Sequence, residues 1–163
     1  MDGSVHIRLF DTGDVGSLCP IWNDVVREGR AFPQEHELDA DAARTFFSEQ
    51  SATAVALMEG RIVGLYILHP NNVGRCGHVA NASYAVSAAA RGKGIGRALV
   101  MDSLDRAGSL GFTGLQFNAV VASNAAAIHL YEDLGFARIG TIPGGFRTKD
   151  GIFEDMHIFY HAV

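Results

Sequence analysis

Cysteine is scarce in this chain. Its 163 residues contain two, Cys19 and Cys76, too few for a disulfide framework and without CxxC spacing. Two free thiols suit a reducing compartment, so a cytoplasmic location is expected. Long apolar runs are missing too. The longest strongly apolar stretch, Ile62 to Leu68, falls far short of the roughly 20 residues that span a bilayer, so no membrane partner is expected. Met1-Asp2-Gly3-Ser4 lacks the basic-then-apolar order of a signal peptide. There is no basic excess: a net charge of −5 argues against nucleic acid as the main partner. The seven histidines make no HxxxH or HxH pair with cysteine nearby, and His157 and His161 fall on a strand-like segment, so no metal is expected. What is present, 48% hydrophobic and 19% charged residues, describes a globular chain long enough to form a core as one domain, 1–163.

The stretch that organises the chain is Arg91-Gly92-Lys93-Gly94-Ile95-Gly96-Arg97, set between a strand-like and a helix-like segment. Alternate glycines let the backbone bend sharply and approach a ligand with no Cβ in the way. Val100, Met101, Leu104 and Ala107 follow at helical spacing, so the loop empties into a helix N-terminus. Unpartnered N–H groups and the helix dipole favour an anion there, and Arg91, Lys93 and Arg97 add side-chain cations. A Walker loop is excluded because Gly94 stands where Ser or Thr is needed. A dinucleotide fingerprint is excluded because Arg97 replaces its third glycine and Asn118 stands where the acidic residue belongs.

In chain order, Val5 to Phe10 reads as a strand and Asp11 to Asp14 as caps for a helix carrying Leu18, Ile21, Trp22, Val25 and Val26, closed by Gly29. Residues 30–38 read as loop. Asp39 to Glu49 reads as a second helix whose Phe46 and Phe47 serve either the core or a substrate wall. Thr53–Met58, Glu59-Gly60 and Ile62–Leu68 form a hairpin that His69-Pro70-Asn71-Asn72 ends. His78 to Val86 is the strand before the glycine loop, with Asn81 and Ser83 on one face and His78 and Tyr84 on the other. A strand at Gly114 to Val120 follows. Ser123 or Asn124 then caps a helix striped by Ala127, Leu130, Tyr131 and Leu134, stopped at Gly135. Phe136 to Ile142 is a strand, Pro143-Gly144-Gly145 breaks the chain, Lys149-Asp150-Gly151 turns it, and Ile152 to Tyr160 closes the sheet. This order implies an α/β sheet of mixed direction covered by helices.

Arg91, Gly94 and Gly96 fit the Arg/Gln-x-x-Gly-x-Gly/Ala pattern, which resembles the acetyl-CoA pyrophosphate loop of the GCN5-related N-acetyltransferases (GNAT). Asn124 through Phe136 is similar to the family's Asn-x-x-Ala-x-x-x-Tyr-x-x-x-Gly-Phe. The resemblance covers most of the chain from Thr53 onward. It implies the acyl-CoA N-acyltransferase fold, a mixed twisted sheet of six to seven strands flanked by about four helices. Asn81-Ala82-Ser83-Tyr84, Phe117-Asn118-Ala119-Val120, Ser123-Asn124, Arg138-Ile139-Gly140 and Pro143-Gly144 further resemble the azetidine-2-carboxylate (proline-analogue) N-acetyltransferase branch. That resemblance implies acetyl transfer from acetyl-CoA to the amine of a small amino or imino acid. Other acceptors within the class are phosphinothricin, an antibiotic or a polyamine, and a non-catalytic acyl-CoA sensor is the alternative from another class. Relatives often dimerise, which makes a homodimer the expected assembly.

The resemblance also distributes roles. Gly92, Lys93, Gly94, Ile95 and Gly96, with Arg91 and Arg97, hold the pyrophosphate. Tyr84-Ala85-Val86 pairs with the pantetheine arm, and a backbone N–H near Tyr84 faces the thioester oxygen. Tyr131 protonates the departing thiolate, or is a core tyrosine, or both. Asn124 contacts pantetheine, positions the amine, or only caps its helix. Asn81, Asn118 and Ser83 serve the acceptor, and Asn118 and Asn124 the catalytic centre. Asparagine is no base at neutral pH, and the strand before the loop has no Asp or Glu. Deprotonation then falls to water, to an acceptor that arrives neutral, or to His78 as a relay, although alternation turns His78 away from Asn81.

Overall fold

Alternation along the central strands sorts apolar side chains onto the two faces of one seven-stranded sheet. The computed structural model describes residues 3–163, so Met1 and Asp2 of the opening stretch lie outside it. The strands are β1 (His6–Leu9), β2 (Ala52–Met58), β3 (Arg61–Pro70), β4 (Val79–Val86), β5 (Gly114–Val121), β6 (Ala137–Arg147) and β7 (Phe153–Ala162). They lie in the order β1-β2-β3-β4-β5-β7-β6. Every neighbouring pair is antiparallel except β4 and β5, which run parallel and share only two register pairs, Val79 with Gly114 and Ala80 with Leu115. The expected mixed sheet and the four α-helices are both present.

On one face, Tyr66, Leu68, Ala80, Ala82, Leu115, Phe117 and Phe159 form a core beneath α3 (Ile95–Ser109) and α4 (Ala125–Asp133). Ile95, Leu99 and Val100 are almost wholly buried, each worth about 1.5–3 kcal/mol, and they seat the start of α3. Gly64 permits the approach: a Cβ there would stand 3.2 Å from both Ile95 Cγ2 and Leu99 Cδ1. Met101 does not join this face. It is 51% exposed, because α3 buries the side of Leu99, Ser103 and Ala107.

The other face packs under α1 (Val15–Glu28) and α2 (Ala40–Ser48). Phe46 and Phe47 wall no substrate site. They pack on Trp22, with ring centroids 5.1 and 5.9 Å away, because Trp22 is the large apolar surface available to α2. The loop between α1 and α2 is held at both ends. Phe32 stacks on Trp22 at 4.4 Å, and Asn23 exchanges two 2.8 Å hydrogen bonds with the Leu38 backbone.

Pro143-Gly144-Gly145 does not end β6. The strand continues to Arg147, with a register shift between Ile142 and Phe146, and the Gly144 N–H donates to Asp155 Oδ1 at 3.0 Å. β6 is an edge strand, so a residue without an N–H and a bulge are both tolerated there.

Asp14 closes the turn into α1. Its carboxylate accepts both Arg8 guanidinium nitrogens, at 2.7 and 2.9 Å, and the Asp11 N–H at 2.8 Å. The Arg8 hydrogen bond holds the Asp14 carboxyl below the usual carboxylate range. A carboxyl lowered on folding adds stability above its unfolded pKa and loses it as pH falls through the folded value. Asp14→Asn is therefore expected to lower unfolding stability by about 1 kcal/mol at neutral pH. The gap from the parent should shrink on acidification, as read by denaturant titration.

Candidate active site

Hydrogen bonds at the two ends of the β3/β4 ladder fix its phase. Asn71 N–H donates to the Val79 carbonyl and Ser87 N–H to the Val63 carbonyl, so odd-numbered residues of β4 turn their peptide groups toward β3. Even-numbered residues turn theirs toward β5, as the Thr113 N–H bond to the His78 carbonyl shows at the start of the strand. The β4/β5 ladder ends at Ala80. Beyond it the peptide groups of Ala82, Tyr84 and Val86 face a gap with no strand partner among the described residues. Ala85 differs from its neighbours: its peptide group pairs toward β3, opposite Leu65.

The glycine loop stands at one end of this gap. Gly92 and Gly94 both have φ of +78°, in the left-handed region, and Gly94 is the N-cap of α3. The first intrahelical bond runs from the Ala98 N–H to the Gly94 carbonyl, which leaves the Ile95, Gly96 and Arg97 N–H groups ahead of the ladder. The loop cations are less available than the sequence suggests. Arg91 pairs with Glu28 at 2.8 Å and Arg97 pairs with Asp133, whose carboxyl the Arg97 hydrogen bond holds low. Lys93 has no carboxylate at ion-pair distance among the described residues.

At the other end lies a cleft of about 440 Å³. Asn81, Ser83 and Tyr84 of β4, Asn118 of β5, and Asn124 and Tyr131 at α4 all line it, so the structure brings these residues together. Ala31 to Gln34 of the α1–α2 loop form the opposite wall. β5 is bulged between Phe117 and Val120, where it spends one more residue than β7, and this bulge carries Asn118 and Ala119 into the cleft. A second hollow of about 800 Å³ adjoins it, sharing Phe32, Pro33, Gln34 and Ala119 and reaching Arg147 and Lys149.

The asparagines are oriented by Asn71, which lies in the segment expected only to end the second strand of the hairpin. Asn71 Oδ1 accepts from Asn81 Nδ2 at 3.0 Å and from Asn118 Nδ2 at 2.6 Å. Gln116 Nε2 donates to Asn118 Oδ1 at 2.9 Å. Asn81 therefore keeps its carbonyl oxygen free, whereas Asn118 keeps an N–H. Asn124 Oδ1 caps α4 by accepting the Ala127 N–H at 3.3 Å, which leaves its amide N–H groups free.

Three neighbouring tyrosines differ in what their hydroxyls do. Tyr66 donates to Asp102 at 2.6 Å. Ser103 spends its proton on the Val100 carbonyl, so Tyr84 donates to Ser103 Oγ at 2.7 Å. The Tyr131 hydroxyl has no protein partner among the described residues. Its ring packs on Phe117, Phe136 and Phe159 with centroids 4.5, 5.6 and 5.8 Å away, and burial pushes its pKa up from the ordinary phenol value.

His78 is exposed at the foot of β4, outside the cleft. The imidazole in the cleft belongs to His69, which sits opposite Asn81 in the β3/β4 register. The sequence signal that could have found both His69 and Asn71 was antiparallel register: pairing β3 with β4 sets His69 beside Asn81 and carries Asn71 past it.

Residues 19–136 match the Acetyltransferase (GNAT) family. The N-acetyltransferase aca1 of Schizosaccharomyces pombe is 33% identical over 90% of this chain and 79% of its own length. The structure of a GCN5-related N-acetyltransferase from Kribbella flavida superposes with a TM-score of 0.90 at 35% identity, covering 98% of both chains. A phosphinothricin acetyltransferase from Sinorhizobium meliloti, solved with acetyl-CoA, has the same fold, with a TM-score of 0.91 at 24% identity over 98% of this chain and 88% of that one. A splayed parallel strand pair, a glycine loop opening a helix and a match over most of the chain agree: this protein is an acetyltransferase of the GNAT family.

Proposed function

We propose that residues 1–163 act as one domain that transfers the acetyl group of acetyl-CoA to the amine of a small amino or imino acid of the proline-analogue kind, by direct attack on the thioester. The observation that carries this reading is the gap beside β4. Its unpaired peptide groups suit an amide-bearing pantetheine arm, which adds there as a strand would. The loop from Arg91 to Arg97 receives the diphosphate through the N–H groups of Ile95, Gly96 and Arg97 and the Lys93 ammonium. Its pairing through Tyr84 and Val86 sets the thioester beside the Tyr84 N–H, an oxyanion donor of a kind whose loss typically costs about 3–4 kcal/mol.

The acceptor's amine donates to the free Asn81 Oδ1, and its carboxylate accepts from the free N–H groups of Asn118 and Asn124, with Ser83 beside them. A side chain that offers both an acceptor and donors suits an amino acid better than a polyamine, which has no carboxylate. Tyr131 donates its proton to the leaving thiolate. Its raised pKa keeps the phenol protonated through neutral and mildly alkaline pH, as a general acid requires. The reading carries a cytoplasmic setting, in keeping with the free thiols of Cys19 and Cys76, and a homodimer, in keeping with exposed Ile139 and Ile142 on edge strand β6. No helix of the described residues is long and apolar enough to cross a membrane.

The test is thiol release from acetyl-CoA with a panel holding azetidine-2-carboxylate, cis-4-hydroxyproline, proteinogenic amino acids, phosphinothricin and a polyamine. Preference for the small imino and amino acids is expected. Preference for phosphinothricin or the polyamine replaces the acceptor assignment, and no release with any amine favours an acyl-CoA sensor.

Tyr131→Phe is expected to lower turnover by about 10²-fold with acetyl-CoA affinity retained. Asn124→Ala removes both the amide and the cap, the latter worth about 1 kcal/mol, so Asn124→Ser is its partner variant: it keeps a capping oxygen and should lose turnover all the same. Full turnover in all three removes both roles.

Gly94→Val should abolish measurable coenzyme A binding in calorimetry. No protein atom lies within 4 Å of a Cβ at this position, so the cost has two parts: a β-branched residue forced to φ of +78°, at about 1–3 kcal/mol, and a side chain standing in the path of the diphosphate. Retained affinity would displace the diphosphate from the loop.

A further inference from the structure

Acetyl transfer requires that the acceptor ammonium lose a proton before it attacks, and none of the residues assigned above is a base. The side chains lining the inner cleft include three titratable groups: His69, Tyr84 and Tyr131. Tyr84 is a phenol whose proton is held on Ser103, burial having raised its pKa well above the ordinary value. Tyr131 is a phenol of the same kind and acts as the acid. Of the three, only the imidazole carries a ring-nitrogen lone pair that can take up a proton.

Its tautomer is set by the backbone. His69 Nδ1 lies 2.9 Å from the Pro70 carbonyl oxygen. A carbonyl oxygen only accepts, so Nδ1 carries the hydrogen and Nε2 carries the lone pair. Nε2 has no protein partner among the described residues. Register places His69 directly across from Asn81, on the same face of the sheet, whose carbonyl oxygen is left free by the Asn71 bond. A strand rises about 3.3 Å per residue, so Asn81 stands roughly 10 Å along β4 from Tyr84, a span that an acceptor and one water fill.

From this arrangement we propose that His69 is the general base of the reaction, taking the proton of the acceptor ammonium on Nε2, directly or through one water. The proposal rests on the acetyl-transfer reading above. The freed nitrogen lone pair forms the bond to the thioester carbonyl carbon, and the C–S bond breaks with its electron pair going to sulfur. Tyr131 protonates the thiolate and regains a proton from the nitrogen of the new amide. The imidazolium releases its proton to solvent, so one proton leaves per turnover. No carboxylate of the described residues lines the inner cleft, and the two that line the adjoining hollow are committed elsewhere: Glu35 pairs with Arg147 at 2.7 Å and Glu37 with Arg27 at 2.6 Å. With Arg27, Arg147, His36 and Lys149 they are the charged and titratable side chains lining the adjoining hollow, while Tyr66 of β3 turns to the opposite face and bonds Asp102.

The test compares wild type, His69→Gln, His69→Glu and His78→Gln across pH, each with an amino-acid acceptor and with an aminooxy acceptor that is already neutral at neutral pH. His69→Gln should lose about 10²-fold in kcat for the amino acid and lose the acidic limb of its pH–rate profile. It should keep most of its rate on the aminooxy acceptor and its affinity for acetyl-CoA. His69→Glu, which returns a base, should recover part of the loss, and His78→Gln should match wild type. Equal losses on both acceptors, or an unchanged profile in His69→Gln, overturn His69 as the base while acetyl transfer stands. A wild type that releases no thiol with any amine overturns the transfer reading, and the base with it.

Discussion

Two parallel strands that stop pairing after their second residue are the constraint on which this site depends. β4 and β5 share Val79–Gly114 and Ala80–Leu115 and then diverge, whereas β4 stays in register with β3 along its whole length. One edge of β4 is therefore fixed and the other is a row of unspent N–H and C=O groups. Such groups are costly to bury and inexpensive to leave facing a ligand that pairs with them. The divergence is held from below by rings: Tyr84 meets Phe117 edge-on at 5.7 Å, and Phe117 meets Tyr131 at 4.5 Å. These rings fill the space that a continuous ladder would otherwise have closed.

On the opposite face, side chains take over where the backbone ladder ends. Asn71 reaches from the end of β3 to bond Asn81 on β4 and Asn118 on β5, tying across the sheet the two strands whose backbones have parted. One oxygen thus performs a structural and a chemical task together. It fixes the spacing of the strands, and it decides which end of each amide faces the cleft. The β5 bulge adds to the same face: Asn118 is already in phase with Asn81, and the extra residue sets Ala119 beside it while Phe117 and Val120 both turn into the core.

Much of this was legible in the sequence, and the failures have physical causes. The glycine loop, the strand before it and the α4 stripe are local patterns whose period and punctuation are written within a few residues, and all three stand where expected. The Asn81/Ser83 face followed from alternation alone. Pro143-Gly144-Gly145 misled because breaking propensity is judged locally, whereas an edge strand absorbs such a segment in a bulge. His69 and Asn71 were invisible for a different reason. Beside a proline they read only as the end of a strand, and only the pairing of β3 with β4 sets His69 in the cleft and Asn71 against its asparagines. The same holds for the wall from Ala31 to Gln34, whose position depends on Phe32 finding Trp22. Contacts that depend on long-range pairing are not encoded at any one position.

Charge counting would mislead in the same way at the glycine loop. Arg91 and Arg97 read as two cations waiting for a phosphate, yet each is held by a carboxylate from a flanking helix, Glu28 at the end of α1 and Asp133 at the end of α4. These side chains are about half exposed, and exposed ion pairs are worth at most about 1 kcal/mol, so a diphosphate bound as proposed would displace either carboxylate at little cost. What the pairs provide is placement: each guanidinium is parked at the rim instead of ranging through solvent. In the proposed complex the specific part of the attraction would come from groups that cannot move away, the Ile95, Gly96 and Arg97 amides at the positive end of α3, reinforced by Lys93. A chain of net charge −5 repels a polyanion at long range, so recognition has to be built from such short-range, fixed dipoles.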